Sequence, residues 1–456
     1  ASDDLLERIW EGRPGLPVED VYQHDVRYAG QTRQDKLNRV QQRLWNVKAD
    51  YQLLSSLSDI AWLFNLRGND INYNPLFLSY AVVGKEEIYL CVDRQKLSEE
   101  LTSLLEEEGI KLAPYQSIEE LLKNSLRKEN RVVYDPSAVS YALASQIASA
   151  AQPVEQKDVT TGLKAIKNST EIDGIKNALV KDGVAMVQFL YWLQHSWQRG
   201  NLNEVSVGNA LPQYRSRQSG FMGESFHPIV GFRDHGAVIH YSADESSAHE
   251  LDGDGLLLID SGAHYLDGTT DITRTVALGA VKPQQREDYT NVLKAHINLA
   301  SARFPQGIRG IQLDSIAKHT LWKRGLSYGH GTGHGVGCFL NVHEGPQSIS
   351  SKMIDAELEP GMVCSNEPGL YRQGAYGIRI ENLILTIEQF ETPFGRFFGF
   401  ETVTLCPLEP KLIDPALLTE QQREWVNGYH QRVFNVLSPY LNTEERHWLE
   451  EQTTPI

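Results

Sequence analysis

Four acids in the second half of the chain fall into two similarly arranged pairs. Asp260 and Asp271 lie in LLLIDSGAHYLDGTTDITRTV, and Glu367 and Glu381 lie in MVCSNEPGLYRQGAYGIRIENLILTI. The midpoint of the first pair falls at Tyr265–Leu266, just before Asp267–Gly268, and that of the second at Gly374. If each stretch is a β-hairpin closed at its midpoint, the acids of a pair face each other, with Cβ atoms roughly 4.5–5.5 Å apart. At about 4 Å, two like charges repel by roughly 4 kcal/mol at an effective dielectric of 20. Four such carboxylates stay ionised only around something cationic, so the spacing predicts a metal site, with charge enough for two divalent ions.

A glycine-dense run, Tyr328-Gly-His-Gly-Thr-Gly-His-Gly-Val-Gly337, separates the pairs. It lacks the Lys-Ser/Thr of a phosphate-binding P-loop and the strand–helix setting of a dinucleotide fingerprint. Glycines alternating with His330 and His334 instead let backbone approach closely and aim imidazoles inward; His343 follows nine residues after His334. One imidazole with four carboxylates is an oxygen-rich donor set, which favours a hard ion such as Mn²⁺ over a sulfur-rich zinc site. Two ions a few ångströms apart can share a hydroxide and clamp a tetrahedral intermediate. Arg379 and Glu381 share a strand face, so Arg379 can pair with Glu381, orient the ligand carboxylates, or do both. Asp271 taken alone reads as a solvated residue paired with Arg274. Asp260 in Ile-Asp-Ser-Gly-Ala has the form of an aspartic-protease loop, but that chemistry needs two such loops and the chain has one. HExxH, GxSxG and local Cys–His signatures are missing.

The elements that must position these residues fall into two regions. Leu37, Val40, Leu44 and Val47 form one helical face, and the runs 77–84 and 87–93 read as strands. Helices at 97–107 and 117–127, a strand at 131–135 and a helix at 139–150 complete an α/β domain. Gln152–Pro153 and the polar stretch to about 162 read as a linker, giving domains 1–158 and 159–456. The second domain opens on a long helix to about Trp197, with Ser169 or Thr170 as N-cap. A helix at 203–219, short strands over 227–278, helices at 284–303 and 311–325, and strands over 361–407 follow. A helical tail runs from Thr419 to Glu450. With 456 residues and a formal charge of −16, the chain suits neither nucleic acid nor an anionic membrane. No apolar run reaches the ~18 residues of a membrane span. Four scattered cysteines fit a reducing, cytoplasmic setting.

The motifs LIDSGAHYLDGTTDITRT, GHGTGHGVGCFLNVHEGP and NEPGLYRQGAYGIRIENLIL closely resemble the M24, or pita-bread, metallopeptidases, and within them the cytosolic multidomain aminopeptidase P type. DIAWLFNLRGNDINYNP (59–75), GLKAIKNSTEIDGIKNA (162–178) and ETVTLCPLEPKLID (401–414) carry the narrower match. The resemblance implies an α+β pita-bread catalytic domain preceded by a smaller α/β, creatinase-like and ribonuclease-H-like domain. It implies that Asp260 binds one metal, His334 and Glu367 the other, and that Asp271 and Glu381 bridge. Glu367 would also be general base. His240 would contact substrate near the scissile bond, His343 would handle a proton or polarise the carbonyl, and His330 would line the proline subsite.

The implied cofactors are two divalent ions, Mn²⁺ first, with Zn²⁺ or Co²⁺ as alternatives. The implied substrate is a peptide with N-terminal Xaa-Pro, and the implied assembly is a cytoplasmic homodimer. Relatives of this type often carry a further α/β domain ahead of the creatinase-like one, and the chain starts at the latter. The rival readings are a prolidase, which needs a cation for the dipeptide carboxylate, and a non-catalytic binding module, which should have lost ligands.

Overall fold

The computed structural model describes residues 9–456, which divide into two compact units. The first holds a six-stranded sheet in the order Ile110–Ala113, Ile88–Val92, Ser79–Gly84, Tyr51–Leu54, Arg131–Tyr134, Gln152–Glu155. Its two central pairings are antiparallel and the outer ones parallel. Leu53, Val82, Cys91 and Val132 from the sheet pack with Leu122, Leu143 and Ile147 from the helices Ile118–Ser125 and Tyr141–Ala150. Gln152–Glu155 is not linker: it is the edge strand of this sheet, paired with Arg131–Tyr134. An edge strand tolerates the missing N–H of Pro153, which is why its composition reads as a connection.

The second unit comprises His24–Thr32 and Val159–Ile456. Its long helix spans Ser169–Ser196 and is capped one residue earlier than its sequence suggests. Asn168 accepts from the Glu171 N–H and Glu171 accepts from the Asn168 N–H, both at 3.0 Å, a reciprocal capping box. Val187, Leu190 and Leu193 of this helix share a core with Leu257, Ile259 and Ile378 of the strands. Val433, Leu437 and Leu449 of the tail helices Glu420–Leu437 and Thr443–Gln452 join the same core. The four cysteines are buried and free. Among the described residues, no helix is long and apolar enough to cross a membrane.

Two antiparallel hairpins carry the acids. Gly255–Ser261 pairs with Ile272–Leu278 on one side and Ile229–Phe232 on the other. Val363–Asn366 pairs with Asn382–Thr392, and Gly369–Arg372 with Tyr376–Arg379, in one continuous register. Glu367 and Glu381 are the opposed positions between those ladders, closed by Gly374 at φ 69°, a conformation that suits glycine. The first hairpin departs from the symmetric expectation. Asp260 pairs with Thr273, not Asp271, and Tyr265 pairs with Gly268. The turn thus closes one residue later than the acid midpoint, which moves every partner by two. A shift of two preserves side-chain parity, so both aspartates keep the same face.

Candidate metal centre

Both glutamates leave their own ladder at the backbone. The Glu367 N–H donates to Thr332 O at 2.8 Å and the Glu381 N–H to Thr273 O at 3.1 Å. The first bond draws in the glycine-rich segment, and the second draws in the other hairpin. Thr332 is itself fixed by donation to Asp314 at 2.6 Å, and the Thr273 hydroxyl donates to Glu381 Oε2 at 2.7 Å. Asp271, Thr273 and Thr275 alternate along one strand, and this period-2 pattern was the available sequence signal for Thr273.

Asp271, His334 and Glu381 each present a ligand atom, all within 4.8 Å of one another. His334 Nε2 lies 3.4 Å from Asp271 Oδ2 and 3.5 Å from Glu367 Oε1. His334 Nδ1 is 3.0 Å from Gly335 O. A carbonyl only accepts, so Nδ1 holds the proton and the Nε2 lone pair faces the carboxylates. The glycines around it work by close approach. A Cβ at Gly333 would sit 1.9 Å from Ser365 O, and one at Gly335 2.0 Å from Glu344 O. No phosphate cradle is needed to explain them.

Asp260 completes the acids through Arg379, whose Nη2 is 2.5 Å from Asp260 Oδ2. Arg379 therefore pairs with Asp260 rather than Glu381. Its Nη1 donates to Tyr371 OH at 2.7 Å and its Nε to Thr273 Oγ1 at 3.2 Å. The Asp271–Arg274 pair does not form either. Arg274 is buried and donates to the carbonyls of Glu381, Cys406 and Pro407 and to Asn382 Oδ1. Its fork thus holds the backbone on which Glu381 sits.

The electrostatics suit a cation among these acids. Burial, then Asp260 and Glu367, push the Asp271 carboxyl well above its ordinary range. Burial, then Asp271 and Glu367, do the same to Glu381. Burial also raises Glu367, against the opposing pull of His334 and Arg379. Among the described residues, Asp260 Oδ1 is buried with no hydrogen-bond partner, although Arg379 pairs with the other oxygen of the same carboxylate. Five donors of carboxylate and imidazole type, one with an unpartnered oxygen and three strained towards protonation, suit hard or borderline divalent ions.

The remaining histidines surround this recess. His330 Nδ1 faces Gly331 O at 2.7 Å and so carries the proton there; its Nε2 accepts from Tyr371 OH at 2.8 Å. Burial lowers His330 to about 4, keeping it neutral. The His343 ring lies against His334 with centroids 4.1 Å apart. His240 is exposed, beyond the 3-10 turn Arg233–Ala237, yet close enough to act electrostatically on both His330 and His343. Tyr371 went unnoticed in the sequence, since one tyrosine beside a turn carries no distinguishing pattern. His296 also went unnoticed. It is wholly buried, bonded to Asn366 O and to the Asn382 side chain, both at 3.1 Å, and so ties together the residues flanking the two glutamates.

Residues 173–388 match metallopeptidase family M24, residues 12–171 the creatinase/prolidase N-terminal domain, and residues 396–456 the C-terminal region of peptidase M24. The whole chain is 38% identical to a probable Xaa-Pro aminopeptidase P of Coprinopsis cinerea and 40% identical to that of Sordaria macrospora, covering 77% of each. It superimposes on the crystal structure of X-prolyl aminopeptidase from Caenorhabditis elegans, described as a cytosolic enzyme with a di-nuclear active site. That match has a TM-score of 0.95 at 36% identity, over 100% of this chain and 76% of that one. An Xaa-Pro dipeptidase from Bacillus anthracis, 23% identical with a TM-score of 0.64 over 83% of this chain and 99% of that one, shares the fold.

Proposed function

Because the chain belongs to metallopeptidase family M24, with a creatinase-type domain ahead of an α+β pita-bread catalytic domain, we propose that it is an Xaa-Pro aminopeptidase. It removes the N-terminal residue from peptides with proline in second position. The observation that carries this reading is the convergence of Asp271, His334 and Glu381 beside Asp260, whose Oδ1 is buried and unpartnered among the described residues, in a chain so similar to enzymes of that name.

Asp260 would hold one ion, His334 and Glu367 the other, and Asp271 and Glu381 both. Two ions so held would lower the pKa of a water and polarise the scissile carbonyl. We assign them as Mn²⁺, with Zn²⁺ or Co²⁺ as alternatives, from the oxygen-rich donor set. Glu367 would also take the proton from the attacking water as general base. His343, beside His334, would handle a proton or polarise the carbonyl. His240, exposed, would contact the substrate near the scissile bond. His330, neutral and held by Tyr371, lines the proline subsite. An Xaa-Pro bond has no N–H, so the site must read the ring by shape and apolar contact, which a neutral imidazole allows. We place the enzyme in the cytoplasm as a homodimer, with the domain boundary near residue 158.

The rival prolidase reading needs a cation for the dipeptide carboxylate. Arg379 is a poor candidate, since all three of its nitrogen groups are engaged by Asp260, Tyr371 and Thr273. The deciding experiment compares an Xaa-Pro-Xaa tripeptide with an Xaa-Pro dipeptide, with Mn²⁺ and with chelator. Tripeptide cleavage that chelator abolishes is expected. Cleavage of the dipeptide alone would overturn the assignment.

A further inference from the structure

A buried group of charges adjoins the two central histidines. Glu344, the residue after His343, has a side chain only 1% exposed, and two ammonium groups meet it. Lys167 Nζ lies 2.6 Å from its Oε1 and Lys164 Nζ 3.3 Å from its Oε2. The lysine side chains are themselves 1% and 4% exposed. Lys167 Nζ also donates to Lys164 O at 3.2 Å, and the Lys167 N–H donates to Gly361 O at 3.0 Å. Gly361 stands just before the strand Val363–Asn366 that leads to Glu367. Against burial, which pushes it up, Lys164 and Lys167 hold the Glu344 carboxyl below its ordinary value.

The backbone of Glu344 reaches the recess directly. Its N–H donates to Gly335 O at 2.8 Å, and the same carbonyl accepts from His334 Nδ1 at 3.0 Å. A carbonyl oxygen has two lone pairs. Here one serves the imidazole proposed to hold metal and the other serves the residue next to His343. The fit around this carbonyl is close: a Cβ at Gly335 would sit 2.0 Å from Glu344 O, and one at Gly337 2.9 Å from Glu344 Oε2. With the His334 and His343 rings 4.1 Å apart, a movement of Glu344 is felt by both.

Three buried charges are an inefficient way to stabilise a fold, because desolvation offsets much of their attraction and apolar side chains of like size do as well. What they supply is a fixed position. A carboxylate held between two ammonium groups cannot shift without leaving a charge unpaired in the interior. We propose that Lys164, Lys167 and Glu344 are positioning residues for the metal centre, a clasp that fixes Gly335 O and through it the orientation of His334, with His343 alongside. This rests on the assignment of His334 as a metal ligand. Glu344 acts through the shared carbonyl, not on the substrate.

The test is Mn²⁺ binding to the metal-stripped full chain, with free Mn²⁺ read by electron paramagnetic resonance, in the parent, Glu344→Gln and Leu437→Ala. Glu344→Gln keeps the backbone N–H and the side-chain size but removes the anion from the lysines. One of its two Mn²⁺ affinities is expected to fall about tenfold. Loaded with Co²⁺ instead, it should show a shifted visible absorption band, because the orientation of the ligands sets that band. Leu437→Ala opens a cavity in the core shared with the tail helices. It should lower Tm but leave affinity and band as in the parent. Parent-like affinity and an unshifted band in Glu344→Gln, or equal changes in Leu437→Ala, would overturn the clasp. Lys167→Met approaches the pair from the other side and leaves Glu344 one ammonium, so it tests the clasp even where Glu344→Gln does not fold. A partial loss of about threefold is expected at the same site, and an unchanged affinity would count against the clasp equally. A parent that binds no Mn²⁺ would overturn the metal centre itself, and the clasp with it.

Discussion

Asp260 and Arg379 meet at 2.5 Å between Asp260 Oδ2 and Arg379 Nη2, a buried contact. From this pair a chain of hydrogen bonds with every proton assigned runs to the proposed proline subsite. Arg379 donates to Tyr371 OH, Tyr371 donates to His330 Nε2, and His330 Nδ1 donates to Gly331 O. A carboxylate proposed to hold metal and a histidine proposed to touch proline are thereby held as one rigid assembly.

Removing the middle of that chain should separate its two ends. Tyr371→Phe keeps Arg379 on Asp260 but leaves His330 Nε2 without its donor. We expect two metals still bound, and kcat/KM on Xaa-Pro-Xaa peptides lowered about tenfold, chiefly through KM. Arg379→Lys has one charged group in place of a fork and cannot serve Asp260, Tyr371 and Thr273 together. There kcat should fall about a hundredfold. Steady-state kinetics beside metal counting distinguish the two. An unchanged KM in Tyr371→Phe would remove His330 from the proline subsite.

Asp271 and Glu381 are proposed to bridge, so neutralising either should remove more than one donor. Asp271→Asn is expected to hold one metal or none where the parent holds two, and to lose at least about a thousandfold in kcat. Inductively coupled plasma analysis of dialysed protein gives the count. Two tightly held ions in the variant would rule out bridging by Asp271.

The residue types and spacing announced the acids, and the glycine run announced His334. What the sequence withheld were details set by three-dimensional closure. The first hairpin turns one residue later than its acids imply, because Tyr265 pairs with Gly268, and no local signal chose that turn over its neighbour. Arg379 looked like the partner of Glu381 because residues two apart share a strand face. The strand ends at Arg379, and the Glu381 N–H turns to Thr273 O, so the arginine reaches Asp260, 119 positions away in sequence. Tyr371 and His296 act only through such distant contacts. The edge strand Gln152–Glu155 was hidden by Pro153, and the cap at Asn168 by two equally good capping residues just after it.

Metal should stabilise this fold, and the sign follows from the carboxylates. Burial and mutual repulsion raise Asp271, Glu367 and Glu381 above their unfolded values. A raised carboxyl binds protons more readily when folded, so without metal these groups oppose folding at neutral pH and relax as pH falls. Divalent ions replace those protons. Adding Mn²⁺ to chelator-treated protein at pH 7 should raise Tm and release protons into a weakly buffered solution. The apparent metal affinity should weaken as pH falls. Proton-independent binding would show that the acids are already ionised in the metal-free protein.

Two buried histidines give the opposite slope. Burial, aided by Arg274, lowers His296 to about 3 and His430 to about 4. Both use Nε2 as an acceptor, His296 from the Asn382 side chain and His430 from the Leu408 N–H. Protonation would place a cation in the core and cancel those bonds. In the unfolded chain both titrate near 6.5, so the unfolded state binds more protons between that pH and the folded values. Their contribution is present above about pH 6.5 and is lost as pH falls towards 4, at up to about 1.4 kcal/mol per pH unit for each histidine. Urea unfolding of metal-free protein between pH 4 and 7 measures the total, in which the carboxylates pull the other way. Comparison with His430→Gln isolates one histidine, because glutamine offers an acceptor that does not titrate. The variant should be less stable at pH 7 but lose stability less steeply on acidification. Parallel pH profiles for parent and variant would show that His430 is not protonated on unfolding in this range.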